Sequence, residues 1–441
     1  MSQQEPTIAL LPWGNVIEDF LDTIGVSLET FCNEFTGSYM FGYVDALRRV
    51  GVRTVLVCVS ARVAKPSRFT HKPTGATVYV LPAPWIYRAL CRKMCNPYGR
   101  TVRQVFGEIR GTRLVLFPAL VMLRELVLYL TTPVRLLARE LRRENCDVIL
   151  CQEYEYPRFD VCALLGLLMR VPVFATFQGG DYQRSHLERI LRPLIMRVCA
   201  GLIIATKSEV RRVQARYGIA PTKLARIFNP VDLNFWESVD RGEARAHLGI
   251  PLEARVAVWH GRVSIRPKGL DVLVEAWKLV CRQHEAKDLR LLLVGTGQDV
   301  EELHQRIATL RPRSVLWINE FVQDRTVIRR YLSAADVYVF PSRHEGFPVA
   351  PIEAMACGLP LVAAEAQGIP DILEGGEASG GIMVPRENAR ELAQALSRVL
   401  DDEAWSRELG RRARCRIEAC FQLEAVGKQL RAFLFSGRFE S

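Results

Sequence analysis

The chain has 441 residues, 49% of them apolar, and a formal net charge of +11. That length is too great for one ordinary core and suits two domains of roughly two hundred residues each. No run reaches the ~18 to 20 uncharged residues that a membrane span needs, and the opening "MSQQEPTIALLPWGNVIEDF" carries acids where a secretory leader would carry bases, so a cytoplasmic protein is expected.

In the first half, "TVLVCVS" (54 to 60), "CDVILC" (146 to 151), "VPVFATF" (171 to 177) and "AGLIIAT" (200 to 206) are short, continuous apolar runs, as strands buried on both faces should be. Helical patterns lie between them, including "FGYVDALRRVG", whose Gly51 suits a helix C-cap. The same grammar restarts after residue 250 with "RVAVWHG", "LRLLLVGTG", "SVLWINEFV", "ADVYVFPS" and "LPLVAAE", and after Pro385 the chain reads almost wholly as helices. The pattern predicts an α/β protein with two Rossmann-like, doubly wound domains and a ligand cleft. We expect residues 1–237 to form the first domain, 238–415 the second, and 416–441 a helix returning to the first.

The basicity is concentrated between residues 51 and 143, where 17 Lys and Arg face three acids, Glu108, Glu125 and Glu140. Such a region attracts anionic lipid, phosphorylated substrates or nucleic acid. Within it, "LVLFPALVML" (114 to 123) is interrupted by Pro118. In "PVRLLARELRREN", Val134, Leu137, Ala138 and Leu141 form an apolar stripe flanked by Arg135, Arg139, Arg142 and Arg143. This helix either lies on an anionic bilayer or packs its stripe on the sheet, and the neighbouring apolar run tips the reading toward an inner-membrane surface. No nucleic-acid reading motif accompanies the charge. Twelve scattered cysteines, mostly in apolar runs, read as reduced and structural; Cys91 and Cys95 would share a helix face but have no partner at metal spacing. The Leu-rich helices read as core.

The densest chemistry lies in "FPSRHEGFPVAPIEAMACGLPLVAA". Glu345 falls in the loop beyond a strand's carboxyl end, where open α/β sheets bind ligands. Glu353 falls in the first turn of the next helix, where the dipole favours a carboxylate that can accept hydroxyl hydrogen bonds. The backbone N–H groups of Gly346, Phe347 and Val349 can point at a phosphate, whereas Pro348 has none. In "WHGRVSIRPKGLDVLVEAW", Arg262 and Lys268 follow a strand ending at His260 and Gly261. Two permanent cations there can neutralise a diphosphate leaving group. Together these features fit a nucleotide sugar.

"GRVSIRPKG", "VGTG" and above all "EGFPVAPIEAMACGLPLV" resemble the retaining GT-B glycosyltransferases of family 4 (glycosyl transferases group 1), whose signature pairs two Glu eight apart. The likeness is nearly continuous from 255 to 400 and looser in the first half, mainly at "IFNPVD" (227 to 232). It implies a GT-B fold with the acceptor on the first domain and the donor mostly on the second. It also implies hexosyl transfer with retained configuration, without cofactor or essential metal; no D-x-D triplet is present. By the same resemblance Arg262 and Lys268 would hold the diphosphate, Glu353 the ribose, and Glu345 the donor sugar near the reacting centre. Gly346, Phe347 and Val349 would bind sugar or phosphate, Gly295 and Gly297 would allow close approach of the nucleotide, and Glu320, Phe321 and Val322 would lie near its base. In the first half the chain departs from the family: only Gly37 precedes the helix where two glycines are common, with Ser38 as a cap, and "QGGDY" stands where a His is common. Gly37, Ser38, Gln178 and Asp181 are therefore the residues expected at the acceptor or phosphate cleft.

His186 and His304 read as surface groups, His260 as lying behind the donor contacts, and His344 is ambiguous beside Glu345. The basic "GRRARCRIEACF" reads as a solvated face. The expected function is transfer from a UDP- or GDP-hexose to an acceptor hydroxyl, on a lipid-linked acceptor of cell-envelope or exopolysaccharide synthesis. The alternatives are a soluble small-molecule acceptor and a non-catalytic nucleotide-sugar-binding protein.

Overall fold

The computed structural model describes residues 5–36, 39–97, 99, 101–108, 115–179 and 185–436. Among these, the residues up to Phe35, from Tyr43 to Ile227 and from Gly427 onward form one compact unit, and the remainder, chiefly Phe228–Val426, forms another.

The first unit is built on β1 (Thr7–Leu11), β2 (Arg53–Ser60), β3 (Ser67–Thr70), β4 (Thr77–Pro82), β5 (Val148–Cys151), β6 (Val173–Phe177), β7 (Gly201–Ile204) and β8 (Leu224–Ala225). Their order is β3-β4-β2-β1-β5-β6-β7-β8, all parallel except the β3–β4 edge. Strand order reverses beside β1, which pairs with both β2 and β5. Burial explains the runs: β1, β5, β6 and β7 are buried at every position, so alternation would leave polar side chains in the core. The second unit holds β9 (Arg255–His260), β10 (Leu289–Val294), β11 (Val315–Ile318), β12 (Val337–Phe340), β13 (Leu361–Ala364) and β14 (Gly381–Val384). Its order is β11-β10-β9-β12-β13-β14, parallel throughout. It reverses beside β9, which pairs with β10 and β12.

The strands expected at nine apolar runs are β2, β5, β6, β7 and β9 to β13. β1, β3, β4, β8 and β14 are not evident among the apolar runs. Tyr39–Arg49 is a helix, and Gly51 beyond it has φ +70°. At the other end of the chain, the helix Leu423–Leu434 carries Gly427 against the Ala46 carbonyl and Phe433 against Phe174, ring centroids 5.3 Å apart.

Four expectations need correction. Pro118 does not interrupt an apolar segment; it sits in the first turn of Phe117–Tyr129, where its missing N–H costs nothing. Most of the stripe of Val134–Arg143 is not a surface feature: Leu137 and Leu141 are core residues and Ala138 packs against them, while Val134 and the arginines Arg135, Arg139, Arg142 and Arg143 are exposed. The helix Trp85–Cys91 ends at Cys91, so Cys95 does not share its face; no group of metal-ligating residues occurs among the described residues. The Leu-rich Pro157–Met169 is core on one side only, since Leu164, Leu167 and Leu168 are exposed. Among the described residues no helix is long and apolar enough to cross a membrane.

Candidate functional site

The reversal of strand order beside β9 opens a crevice at the carboxyl ends of β9 and β12, the place where doubly wound sheets bind ligands. Two loops meet there. After β9 the chain runs through Gly261 and Arg262 into the short helix Ile265–Lys268. After β12 it runs from Pro341 to Val349 and enters Ala350–Ala356.

Lys268 Nζ donates to Glu345 Oε1 at 2.7 Å, and the two side chains are 24% and 11% exposed. Arg343, which the sequence reading did not select, joins the loops more firmly. Its guanidinium grips both oxygens of Asp271 at 2.7 and 2.8 Å, reaches Glu387 at 2.7 Å and the Arg266 carbonyl at 2.8 Å. The Arg343 N–H donates to the Pro267 carbonyl at 2.9 Å. Burial pushes the Asp271 carboxyl up, but the bidentate Arg343 contact outweighs it and holds the group below its ordinary range. The signal that could have found Arg343 is a cation three residues past the end of a fully apolar strand, which once buried needs carboxylates to be there at all.

Glu353 lies in the first turn of its helix, and its Oε2 stands 3.5 Å from His260 Nε2. The His260 Nδ1 is buried without a hydrogen-bond partner among the described residues. Tyr338, buried under this pair, donates its hydroxyl to the His260 carbonyl at 3.3 Å. Arg262 is exposed and makes no ion pair among the described residues. The N–H groups of Gly346, Phe347 and Val349 make no backbone hydrogen bond there either.

The loop carrying these N–H groups is held from below. Phe347 is buried and stacks on Phe228, ring centroids 5.3 Å apart, while Phe228 stacks on Phe421 at 4.7 Å. Asn229 Nδ2 donates to the Phe347 carbonyl at 3.4 Å. The "IFNPVD" segment therefore shapes the Glu345 loop.

Gly295 and Gly297 sit where the loop after β10 runs alongside the loop after β9. A Cβ on Gly295 would lie 1.9 Å from the Gly261 carbonyl oxygen, and one on Gly297 would lie 2.1 Å from that of Val263. Glu320 and Phe321 are exposed and Val322 is half-buried beyond β11. His344 is exposed, and its N–H donates to the Pro267 carbonyl at 3.3 Å. His304 packs its ring on Trp317 at 4.4 Å.

In the first unit, the corresponding reversal beside β1 gathers Trp13, Glu153 and Gln178. The Trp13 N–H donates to Gln152 Oε1 and the Gln178 N–H to Glu153 Oε1, each at 2.8 Å. Glu153 is buried with φ +59°, and Gly14 lies directly under the Tyr156 ring. Trp13 and Glu153 were not legible as site residues, because neither belongs to a motif. Gly37, Ser38 and Asp181 lie outside the described residues.

Two doubly wound, parallel-rich units of this topology define the GT-B class. The chain superposes on Anabaena Alr3699/HepE in complex with UDP with a TM-score of 0.68 at 17% identity, covering 98% of this chain and 100% of that one. It superposes on a sucrose-phosphate synthase from Thermosynechococcus elongatus with a TM-score of 0.66 at 21% identity, covering 96% and 97%. The model of glycosyl transferases group 1 matches residues 254–402, and that of Glycosyltransferase Family 4 matches residues 37–235. The chain belongs to this glycosyltransferase family. It is 32% identical over 238 residues to D-inositol 3-phosphate glycosyltransferase 1 of Catenulispora acidiphila, covering 52% of this chain and 56% of the relative. With the D-inositol 3-phosphate glycosyltransferase of Kineococcus radiotolerans it shares 32% over 253 residues, covering 54% and 58%. The chain thus spans little more than half the length of these relatives.

Proposed function

We propose that this protein transfers a sugar from a nucleoside diphosphate donor to an acceptor hydroxyl, with retained anomeric configuration and without an essential metal. The observation that carries the reading is the meeting of Lys268 and Glu345 at the β9–β12 crevice, beside Arg262, Glu353 and three backbone N–H groups with no backbone partner among the described residues.

In this reading the second unit holds the donor. Glu353 accepts from the ribose hydroxyls. The N–H groups of Gly346, Phe347 and Val349 meet sugar hydroxyls or phosphate. As the bond from the anomeric carbon to the diphosphate breaks, its electron pair stays on the leaving phosphate, whose charge Arg262 and Lys268 face. Glu345 lies against the sugar and is kept in place by Lys268. The acceptor hydroxyl oxygen forms the new bond on the side the diphosphate leaves, and its proton passes to the leaving phosphate oxygen. Gln178, with Trp13 and Glu153 nearby, is our acceptor-side assignment.

The test is a thermal-shift panel of UDP-, GDP-, ADP- and TDP-sugars on the wild type and Glu353→Ala, followed by turnover with chelator present. UDP-sugars come first because Alr3699/HepE was solved with UDP, and D-inositol 3-phosphate is the first acceptor because the curated relatives carry its name. A single nucleotide class that raises the melting temperature of the wild type and not of the variant supports the reading. Binding without turnover across acceptors would favour a sensor.

A further inference from the structure

Three neighbouring helices of the first unit, Phe117–Tyr129, Pro157–Met169 and His186–Val198, bury all their acids beside core residues and expose large apolar side chains. Their inner sides are joined by charge. The Asp160 carboxylate accepts from the Tyr129 hydroxyl and from Arg192 Nε, each at 2.8 Å. Arg192 also reaches Glu188 at 3.0 Å, and Glu125 accepts from the His186 N–H at 2.9 Å. Every acid on these helices, Glu125, Asp160 and Glu188, is buried.

The outer sides carry the pairs Met122 and Leu126, Leu164 and Leu168, and Ile190 and Leu194, between 46% and 84% exposed. Each pair is four residues apart and so shares one face of its helix. A helix facing water has the opposite arrangement, and an apolar surface spread over three helices marks an interaction site. Among the described residues, the exposed charges on these helices and at their ends are cationic: Arg189 and Arg197 on the third helix and Arg170 after the second. Trp85, 72% exposed, stands on the helix Trp85–Cys91, whose Tyr87 packs with Val127 of the first helix. An exposed Trp suits the headgroup level of a bilayer.

We propose that this face docks the protein on an anionic lipid surface, its leucines entering the acyl boundary and its arginines meeting headgroup phosphates. The charge decides between lipid and a second copy. A two-fold dimer through this face would set arginines against arginines with no exposed acid on the described parts of these helices to answer them, whereas anionic headgroups complement the arginines and the apolar centre together. The site stands apart from the one around Arg135 to Arg143, whose apolar stripe is mostly spent in the core. It does not rest on the transfer reaction.

The experiment is flotation of the full chain with vesicles of phosphatidylcholine alone and of phosphatidylcholine with phosphatidylglycerol, at low and high salt. The wild type should float with the anionic vesicles and lose most of that binding in high salt. Leu168→Glu and Ile190→Glu, at positions 84% and 68% exposed, should nearly keep the melting temperature and weaken binding about tenfold or more. Arg170→Ala and Arg197→Ala should each weaken it about fivefold on anionic vesicles. Absence of flotation, or flotation unchanged by the glutamate variants, overturns the proposal. A wild-type dimer that Leu168→Glu converts to monomer overturns it as well and assigns the face to a second copy.

Discussion

The Lys268 ammonium stands 2.7 Å from the Glu345 carboxylate, so the cation assigned to the leaving phosphate also restrains the carboxylate assigned to the sugar. Lys268→Ala should therefore lower kcat by about two to three orders of magnitude and also weaken the donor-induced thermal shift, because an unpaired Glu345 would face the diphosphate. Adding Glu345→Gln should recover donor binding without recovering turnover. If Lys268→Ala keeps both the shift and the rate within a factor of about two, the pair is only a structural link.

Arg343 and Asp271 form the clamp behind that pair. Arg343→Ala should cost about 2 kcal/mol of stability, less than a fully buried pair because Asp271 is 28% exposed. Arg343→Lys should not restore it, since an ammonium cannot span both oxygens. The Asp271 carboxyl is held below its ordinary value of 3.8, so its contribution is complete above that pH and fades as the pH falls through the lower folded value. Acid unfolding of Asp271→Asn followed by fluorescence should have a shallower pH dependence than that of the wild type.

Gly295 and Gly297 allow two loops to touch. With a Cβ at about 2 Å from a neighbouring carbonyl oxygen, Gly297→Ala must separate the loops after β9 and β10, which hold Val263 N–H to the Thr296 carbonyl at 2.9 Å. The expected result is a loss of about 2 to 4 kcal/mol and a donor-induced shift below detection. A folded Gly297→Ala variant with normal donor binding would remove this turn from the site.

Between Asp160 and Glu188 there is one guanidinium, that of Arg192. Burial pushes Glu188 up to about 7 in spite of that partner. An acid raised on folding stabilises the protein below its unfolded value of 4.5, and that stabilisation is lost as the pH rises through about 7. Urea midpoints of the wild type should fall between these two pH values, and Glu188→Gln should flatten the trend.

Much of the fold was legible because parallel strands buried on both faces cannot alternate. "VILC" and "VFATF" read as strands from their shortness and continuous apolarity. By contrast, β1 is as long and as buried as these but lies between Pro6 and Pro12, which read as breakers, and β3 is an exposed edge whose "SRFT" is mostly polar. Glu345, Glu353 and Lys268 could be singled out only by their joint placement, since each alone is common beyond a strand end or in a first helical turn; the fold does bring Lys268 and Glu345 together. Arg343 was not legible, since its carboxylates Asp271 and Glu387 lie far away in sequence. The Leu-rich helices misled for a physical reason: periodicity locates an apolar stripe but does not say whether protein covers it.

The stack of Phe228, Phe347 and Phe421 joins three points spread over nearly two hundred residues. A chain cut after residue 402 would keep every side chain assigned to the donor, and the whole of the segment matched by glycosyl transferases group 1. It would nevertheless lose one plate of the stack and the hydrogen bond from the Val231 N–H to the Phe421 carbonyl at 2.8 Å. The portable unit for grafting or shuffling is thus longer than the recognisable motif, and its far border is set by a phenylalanine that no sugar ever meets.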